Sequence, residues 1–263
     1  MARSVLLTGA SGRVGQAILR DLGDAHDWRL LDREPLPQGK LPTGIDKSDV
    51  YVADVTNKQA VVEAARGCEV IIHLAGDPRP NAPWESVLRN NIDGTKTVLD
   101  AAVDVGVEKV AFASSNHAVG FYEDERKPDI YRDHDDYRLN GTELPRPTNL
   151  YGVSKATGET LARYYHDEHD LSVVCVRIGN LTESHPPRNY ERGQAMWLSY
   201  TDCSHLFDCC VTADYGYEIV YGISDNDRKY YSIETAREVL GYEPRDNSAD
   251  YHLDGTPKDD AEE

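Results

Sequence analysis

Tyr151-Gly-Val-Ser-Lys155 places a phenol and an ammonium four residues apart, one turn from each other on the same face of a helix. A free tyrosine, with a pKa of about 10, is a poor base at neutrality, but an adjacent ammonium stabilises the phenolate and brings it into a working range. With 16 Tyr and 9 Lys in 263 residues, roughly 0.5 such pairs are expected by chance, so the spacing means little until its position is known. The pair opens a helix that follows a long loop. The strand before that loop delivers Ser114-Ser115-Asn116-His117 at its C-terminal end, where doubly wound sheets bind ligands. Ser115 can hold a reacting hydroxyl against Tyr151, so that an alcohol passes its proton to Tyr151 and its hydride to a nicotinamide cofactor.

A place for that cofactor is written at the start of the chain. The strand predicted from Ser4 to Thr8 leads into Gly9-Ala10-Ser11-Gly12-Arg13-Val14-Gly15, and a helix begins on that turn. Amides at a helix N-terminus face a pyrophosphate, and glycines allow its close approach. Asp32 ends the second strand, where a carboxylate accepts hydrogen bonds from the adenosine ribose and repels a 2′-phosphate, which argues for NAD over NADP. Arg33 beside it could instead stack on adenine or recruit that phosphate, and a simple strand-end turn is the bland reading of Asp32. After the third strand, Asp54-Val55 is placed to meet the adenine amino group. Leu74-Ala75-Gly76 offers small residues where the cofactor ribose passes close to the backbone.

These groups need a parallel sheet with crossover helices, and strand and helix signals alternate accordingly. Strands are predicted at Ser4–Thr8, Trp28–Leu31, Asp49–Val52, Glu69–Leu74, Lys109–Ala113 and Ser172–Ile178. Helices are predicted at Val14–Leu22, Lys58–Arg66, Trp84–Val105 and Gly152–Glu168. The fold class is α/β, a doubly wound Rossmann sheet over 1–178. A small substrate-binding part over 179–250 is expected to hold a helix near Met196–Cys210, a strand at Glu218–Tyr221 and a helix at Ile233–Leu240. Residues 251–263 read as a disordered acidic tail.

Composition narrows the partners. Acidic residues outnumber basic ones 46 to 28, giving a formal charge of −18, so nucleic acid is excluded as a natural partner. The acids are spread over the chain, with patches at Glu123 to Glu125, Asp133 to Asp136 and Asp259 to Glu263. A strongly solvated surface, suited to molar intracellular salt, accounts for them. No window approaches a membrane span, and the five cysteines lack zinc-site spacing, which predicts no metal, no disulfide framework and a reducing cytoplasm.

Together, Thr8-Gly9-x-x-Gly12-x-x-Gly15, Asn91-Ile-Asp-Gly94-Thr95, Ser114-Ser115 and Tyr151-x-x-x-Lys155 resemble the extended short-chain dehydrogenase/reductases across nearly the whole chain. That resemblance implies catalytic roles for Ser115, Tyr151 and Lys155, a support for the lysine region from Asn91, and Ser114 and Ile178 beside the cofactor. Phe112 to His117, Leu150 to Lys155, Val176-Arg-Ile-Gly179, Asn189-Tyr190 and Trp197-Leu-Ser199 are similar to uronate dehydrogenases and to relatives in salt-loving archaea that oxidise glucose 6-phosphate with NAD. Both act at the anomeric carbon. The likeness implies that Asn116 and His117 contact sugar hydroxyls and that Arg192 binds the anion at C6, with Pro78 also on the substrate side. Asn180 stands where the uronate enzymes carry a serine, and one extra residue precedes Trp197. A more basic pocket drawing on Arg79, Arg188 or Arg192 suits a phosphate, which tips the reading to glucose 6-phosphate over a uronate. Surface positions are the bland alternative for Arg188 and Arg192. Nucleotide-sugar epimerisation fits less well, because only about 85 residues follow Ile178 to hold a nucleotide. A non-catalytic sensor of the same fold would be expected to lack the Tyr or the Lys. Assembly into a homo-oligomer through the helix carrying that pair is expected from the family.

Overall fold

Both faces of the central sheet are covered, and its strands are accordingly apolar in unbroken runs: Val5, Leu6 and Leu7 of the first strand and Val70, Ile71 and Ile72 of the fourth have no exposed surface. The computed structural model describes residues 2–36, 44–131, 136–252 and 258. In chain order these form β1 (Ser4–Thr8), α1 (Arg13–Leu22), β2 (Asp27–Asp32), β3 (Val50–Val52), α2 (Lys58–Ala65), β4 (Val70–His73), α3 (Trp84–Ser86), α4 (Gly94–Val105) and β5 (Lys109–Ser115). They continue as α5 (Gly120–Asp124), α6 (Leu150–His169), β6 (Ser172–Ile178), β7 (Asn180–Thr182), α7 (Glu191–Ala195), β8 (Trp197–Ser199), α8 (Tyr200–Thr212), β9 (Tyr217–Gly222) and α9 (Glu234–Leu240). The tail segments 253–257 and 259–263, and positions 133–135 of one acidic patch, lie outside the described residues.

Seven strands pair in the order β3-β2-β1-β4-β5-β6-β9, all parallel. The chain winds outward in both directions from β1 and β4, which leaves a crevice at their carboxyl ends. Ala17 and Ile18 of α1 share one core with Leu206 and Phe207 of α8 and Leu240 of α9. On the other face Val61 of α2, Val98 of α4 and Ala162 of α6 form a second core.

The structure also differs from, or adds to, the expected elements in places. The helix expected over Trp84–Val105 is interrupted by π-helical turns at Val87–Asp93, a type of irregularity frequent at functional sites. Met196–Ser199 is not the start of a helix: Trp197–Ser199 runs parallel to β7, and α8 starts only where the Ser199 side chain accepts from the Asp202 amide. Finally, β9 adds to β6 and Ser204 of α8 donates to the Ala17 carbonyl at 2.9 Å, so the segment 179–250 also completes the sheet and its covering layer.

Candidate active site

The glycine turn is built for close approach. Gly9 has φ +74° and donates to the Leu31 carbonyl at 2.8 Å; a Cβ there would sit 2.7 Å from the Ala75 amide nitrogen, so no other residue fits. Gly12 caps α1, whose first amides open onto a cleft of about 780 Å³ bordered by Gly9, Gly12, Asp32, Ser115, Tyr151 and Arg192 among others. That volume lies in the upper part of the range of about 300–1,000 Å³ usual for small-molecule sites. Asp32 uses one carboxylate oxygen to accept from Ser11 N at 2.9 Å and Ser11 Oγ at 2.6 Å; among the described residues the other meets only Glu34 N at 3.4 Å. A carboxylate with one nearly free oxygen, the helix amides and the small Ala75 and Gly76 together suit a dinucleotide. Arg33 borders this end with an exposed side chain, 4.0 Å from Glu34. Arg13 and Val14 also line the cleft, and Arg13 donates to the Leu181 carbonyl at 3.3 Å. Asp54 and Val55 reach the cleft, but both Asp54 oxygens are already engaged, by Thr56 at 2.7 and 2.9 Å and by Arg89 at 3.0 Å.

At the other end β5 runs two residues further than expected, so that Ser114 and Ser115 belong to the strand. Asn149 caps α6 by accepting from Gly152 N at 2.8 Å, which puts Tyr151 in the first turn. Gly152 is needed for contact: a Cβ would lie 2.2 Å from the His117 carbonyl oxygen. The close approach packs the Tyr151 ring on His117 with centroids 5.7 Å apart, and Tyr151 and Ser115 both border the cleft. Burial pushes the phenol up, and Ser115 opposes it. Lys155 donates to the Ala113 carbonyl at 2.7 Å, with its ammonium 5.6 Å from the Tyr151 ring centre. Burial draws Lys155 down to about 8, resisted by Glu159. The expected lowering of the phenol by the ammonium does not appear in this arrangement: burial raises the phenol and the Asp77 charge adds to that.

Several residues act from behind the wall. Asn91, carried by the π-helical turns, does not border the cleft. Its amide donates to Ser154 Oγ at 2.9 Å and to the Asp77 carbonyl at 3.1 Å, while its oxygen accepts from Asp77 N at 2.6 Å, so it ties α6 to the loop after β4. Ser114 lines the cleft but sends its hydroxyl to Glu159 Oε1 at 2.6 Å. Glu159 also holds Arg177 at 2.8 and 2.9 Å, and neither side chain reaches solvent appreciably. His73, which burial and then Lys155 lower to about 3, is neutral and joins Thr8 at 2.8 Å to Thr95 at 3.1 Å.

On the substrate side, Asn116 donates to the Ile178 carbonyl at 3.1 Å and accepts from Arg192 at 3.2 Å. Asn149 donates to His117 Nδ1 at 3.0 Å, and burial followed by the Arg192 charge lowers His117. Arg192 is anchored through Nε to Glu123 at 2.5 Å and lies 3.3 Å from the Tyr190 hydroxyl. Pro78, Ile178 and Asn180 border this end. Arg79 borders it too, largely exposed and paired with Asp77 at 2.6 and 2.9 Å. Arg188 is not part of the wall.

A family model described as the NAD dependent epimerase/dehydratase family matches residues 5–199, most of the chain. The chain belongs to this family. Among family relatives, it is 71% identical to the NAD-dependent glucose-6-phosphate dehydrogenase of Haloferax volcanii, over 99% of this chain and 100% of that protein. It is 34% identical to the uronate dehydrogenase of Pseudomonas syringae, covering 93% of this chain and 82% of that one. A tyrosine-to-alanine variant of the uronate dehydrogenase of Agrobacterium tumefaciens, complexed with NAD, superposes with a TM-score of 0.80 at 30% identity, covering 99% of this chain and 92% of that one.

This member of the epimerase/dehydratase family thus gathers the sequence-predicted Ser115, Tyr151, Lys155, Asn116, His117 and Arg192 at one end of the cleft, and the glycine turn and Asp32 at the other. Glu123 escaped sequence reading. It falls in an acidic run that reads as solvated surface, and its neighbours Asp124 and Glu125 do pair at the surface with Lys127 and Arg146. Glu123 itself is 3% exposed.

Proposed function

We propose that this protein oxidises glucose 6-phosphate at C1, giving the lactone and reduced NAD. The full-length 71% identity to the Haloferax glucose-6-phosphate dehydrogenase carries this reading. NAD, held by the glycine turn and Asp32, supplies the hydride acceptor. The residues of the chain manage the proton and the pose. Ser115, which borders the cleft with Tyr151, holds the C1 hydroxyl; Tyr151 takes its proton; Lys155 keeps a positive charge 5.6 Å from the Tyr151 ring. Hydride leaves C1 and the hydroxyl proton goes to Tyr151, so the two electrons and the proton are accounted for. Asn116 and His117 orient sugar hydroxyls, and Arg192, on the substrate-side segment 179–250, binds the phosphate. The test is to mix protein, NAD and sugar in molar salt and follow absorbance of the reduced cofactor. No turnover of glucose 6-phosphate rejects the reading, and turnover of glucuronate alone replaces it with the uronate reaction.

Two variants probe the ends of the cleft. Arg192→Ala should raise KM for glucose 6-phosphate by about 10- to 100-fold, as expected for losing hydrogen bonds to a charged group worth about 1.5–3 kcal/mol, with kcat little changed. An unaltered KM takes Arg192 out of substrate binding. Asp32→Ala should raise KM for NAD by about 10-fold on the same scale and narrow the preference over NADP, because the acceptor and the repulsion of a 2′-phosphate go together. Retained discrimination in the two-cofactor assay would assign the choice elsewhere.

The proposal places the enzyme in a reducing cytoplasm, in keeping with five buried free cysteines, and in a homo-oligomer formed on α6, where Tyr164 is 55% exposed. Among the described residues no helix is long and apolar enough to cross a membrane.

A further inference from the structure

We infer that Glu123 is the positioning residue that aims the Arg192 guanidinium into the sugar end of the cleft, and thereby sets the preference for a substrate carrying an anion at C6. The inference rests on the reading of Arg192 given above. Glu123 stands outside the cleft wall, on the far side of Arg192, so it does not touch the sugar. Three donors converge on it: Arg192 Nε at 2.5 Å and the Tyr131 hydroxyl on one oxygen, and the Tyr230 hydroxyl at 3.0 Å on the other. Tyr131 and Tyr230 are themselves buried in the apolar cluster over the strand ends, so the carboxylate is fixed from behind.

A buried carboxylate is strongly disfavoured unless it is paired, and among the described residues Arg192 is the cation in contact with it. The consequence for Arg192 is geometric. Its Nε–H is committed to Glu123. Its two terminal nitrogens point the other way, to the Tyr190 hydroxyl at 3.3 Å and Asn116 Oδ1 at 3.2 Å, long hydrogen bonds that anion oxygens can replace. That end-on edge matches a phosphate or carboxylate in bidentate fashion. The helices that carry the two residues, α5 and α7, are five residues each, too short to fix a long side chain by themselves. The tyrosine-held carboxylate supplies the missing constraint.

The experiment compares Glu123→Ala and Glu123→Gln by initial rates, with melting followed by circular dichroism. Glu123→Ala should raise KM for glucose 6-phosphate by about 10-fold or more, the scale on which misplacing a binding group acts, while kcat and KM for NAD stay near wild type. Glu123→Gln, which keeps an acceptor for Nε–H, should restore most of that KM. A brace with only a structural role would instead lower melting and kcat together. Loss of kcat at constant KM, an unchanged KM, or failure of Gln to restore it overturns the inference. Should Glu123→Ala not fold, Glu123→Asp, which keeps the charge but withdraws it by a methylene, must show the same KM-specific loss, and its absence is equally fatal. Arg192→Ala separates the two levels: if it leaves KM unchanged, the anion reading itself fails, whereas a raised KM there with a silent Glu123→Ala overturns only the role of Glu123.

Discussion

Tyr151→Phe is expected to cut turnover by about 100- to 10,000-fold, the span that a positioned acid or base contributes, while NAD binding stays close to wild type. Phenylalanine keeps the ring that packs against His117 at 5.7 Å and leaves the α6 cap on Asn149 untouched, so geometry is preserved and only the hydroxyl facing Ser115 is lost. The size of the effect follows from what surrounds that hydroxyl. Burial pushes the phenol up, so phenolate is scarce unless it is stabilised locally, and Ser115 is the group that opposes burial directly. The neighbouring His117 does not offer the same base: burial lowers it, and its Nδ1 already accepts from Asn149. Steady-state reduction of NAD gives the turnover, and calorimetric titration gives NAD binding. A variant that retained more than about a tenth of the wild-type rate would transfer the proton step to another group.

The groups that were legible in the sequence are those whose signal is local. The strand-glycine turn-helix unit and Asp32 announce themselves within 32 residues, because a positive φ at Gly9 and a helix start at Arg13 are demands on consecutive residues. Tyr151, Lys155 and Ser115 were legible by their placement at element ends. Glu123 was not. Its neighbours in sequence are surface acids, and what buries it is Tyr230, 107 residues away. The interruption of the helix before Gly94 was hidden for a related reason: its π-helical turns at Val87–Asp93 go with bonds from the Asn91 side chain to Asp77 and Ser154, partners 14 and 63 residues away. Trp197–Ser199 became a strand through pairing with β7, a tertiary choice that overrides local helix preference.

The largest effect on stability is expected at the buried pair beneath α6. Tyr151, Lys155 and Glu159 recur every four residues along one stripe of α6, and Glu159 ties that stripe to Arg177 of β6 by two hydrogen bonds and to Ser114 of β5 by a third. Glu159→Ala leaves the fully buried Arg177 charge with only Tyr221 at 3.0 Å and the more distant Glu143 at 3.6 Å. Breaking such a pair from one side costs about 3–5 kcal/mol, which lowers Tm by on the order of 10 °C in a domain of this size. Replacing both partners by apolar residues, Glu159→Leu with Arg177→Met, should recover much of that loss, since the carboxylate it parts from Arg177, Glu143, keeps the Asn140 and Gly141 amides. Activity should not recover with it. Burial lowers Lys155 to about 8 and Glu159 opposes that shift, so without the carboxylate Lys155 loses its proton at a lower pH. The alkaline limit of turnover should therefore move to lower pH in the double variant, even where melting is restored. A double variant with wild-type melting and an unmoved pH profile would confine Glu159 to holding the sheet and helix together.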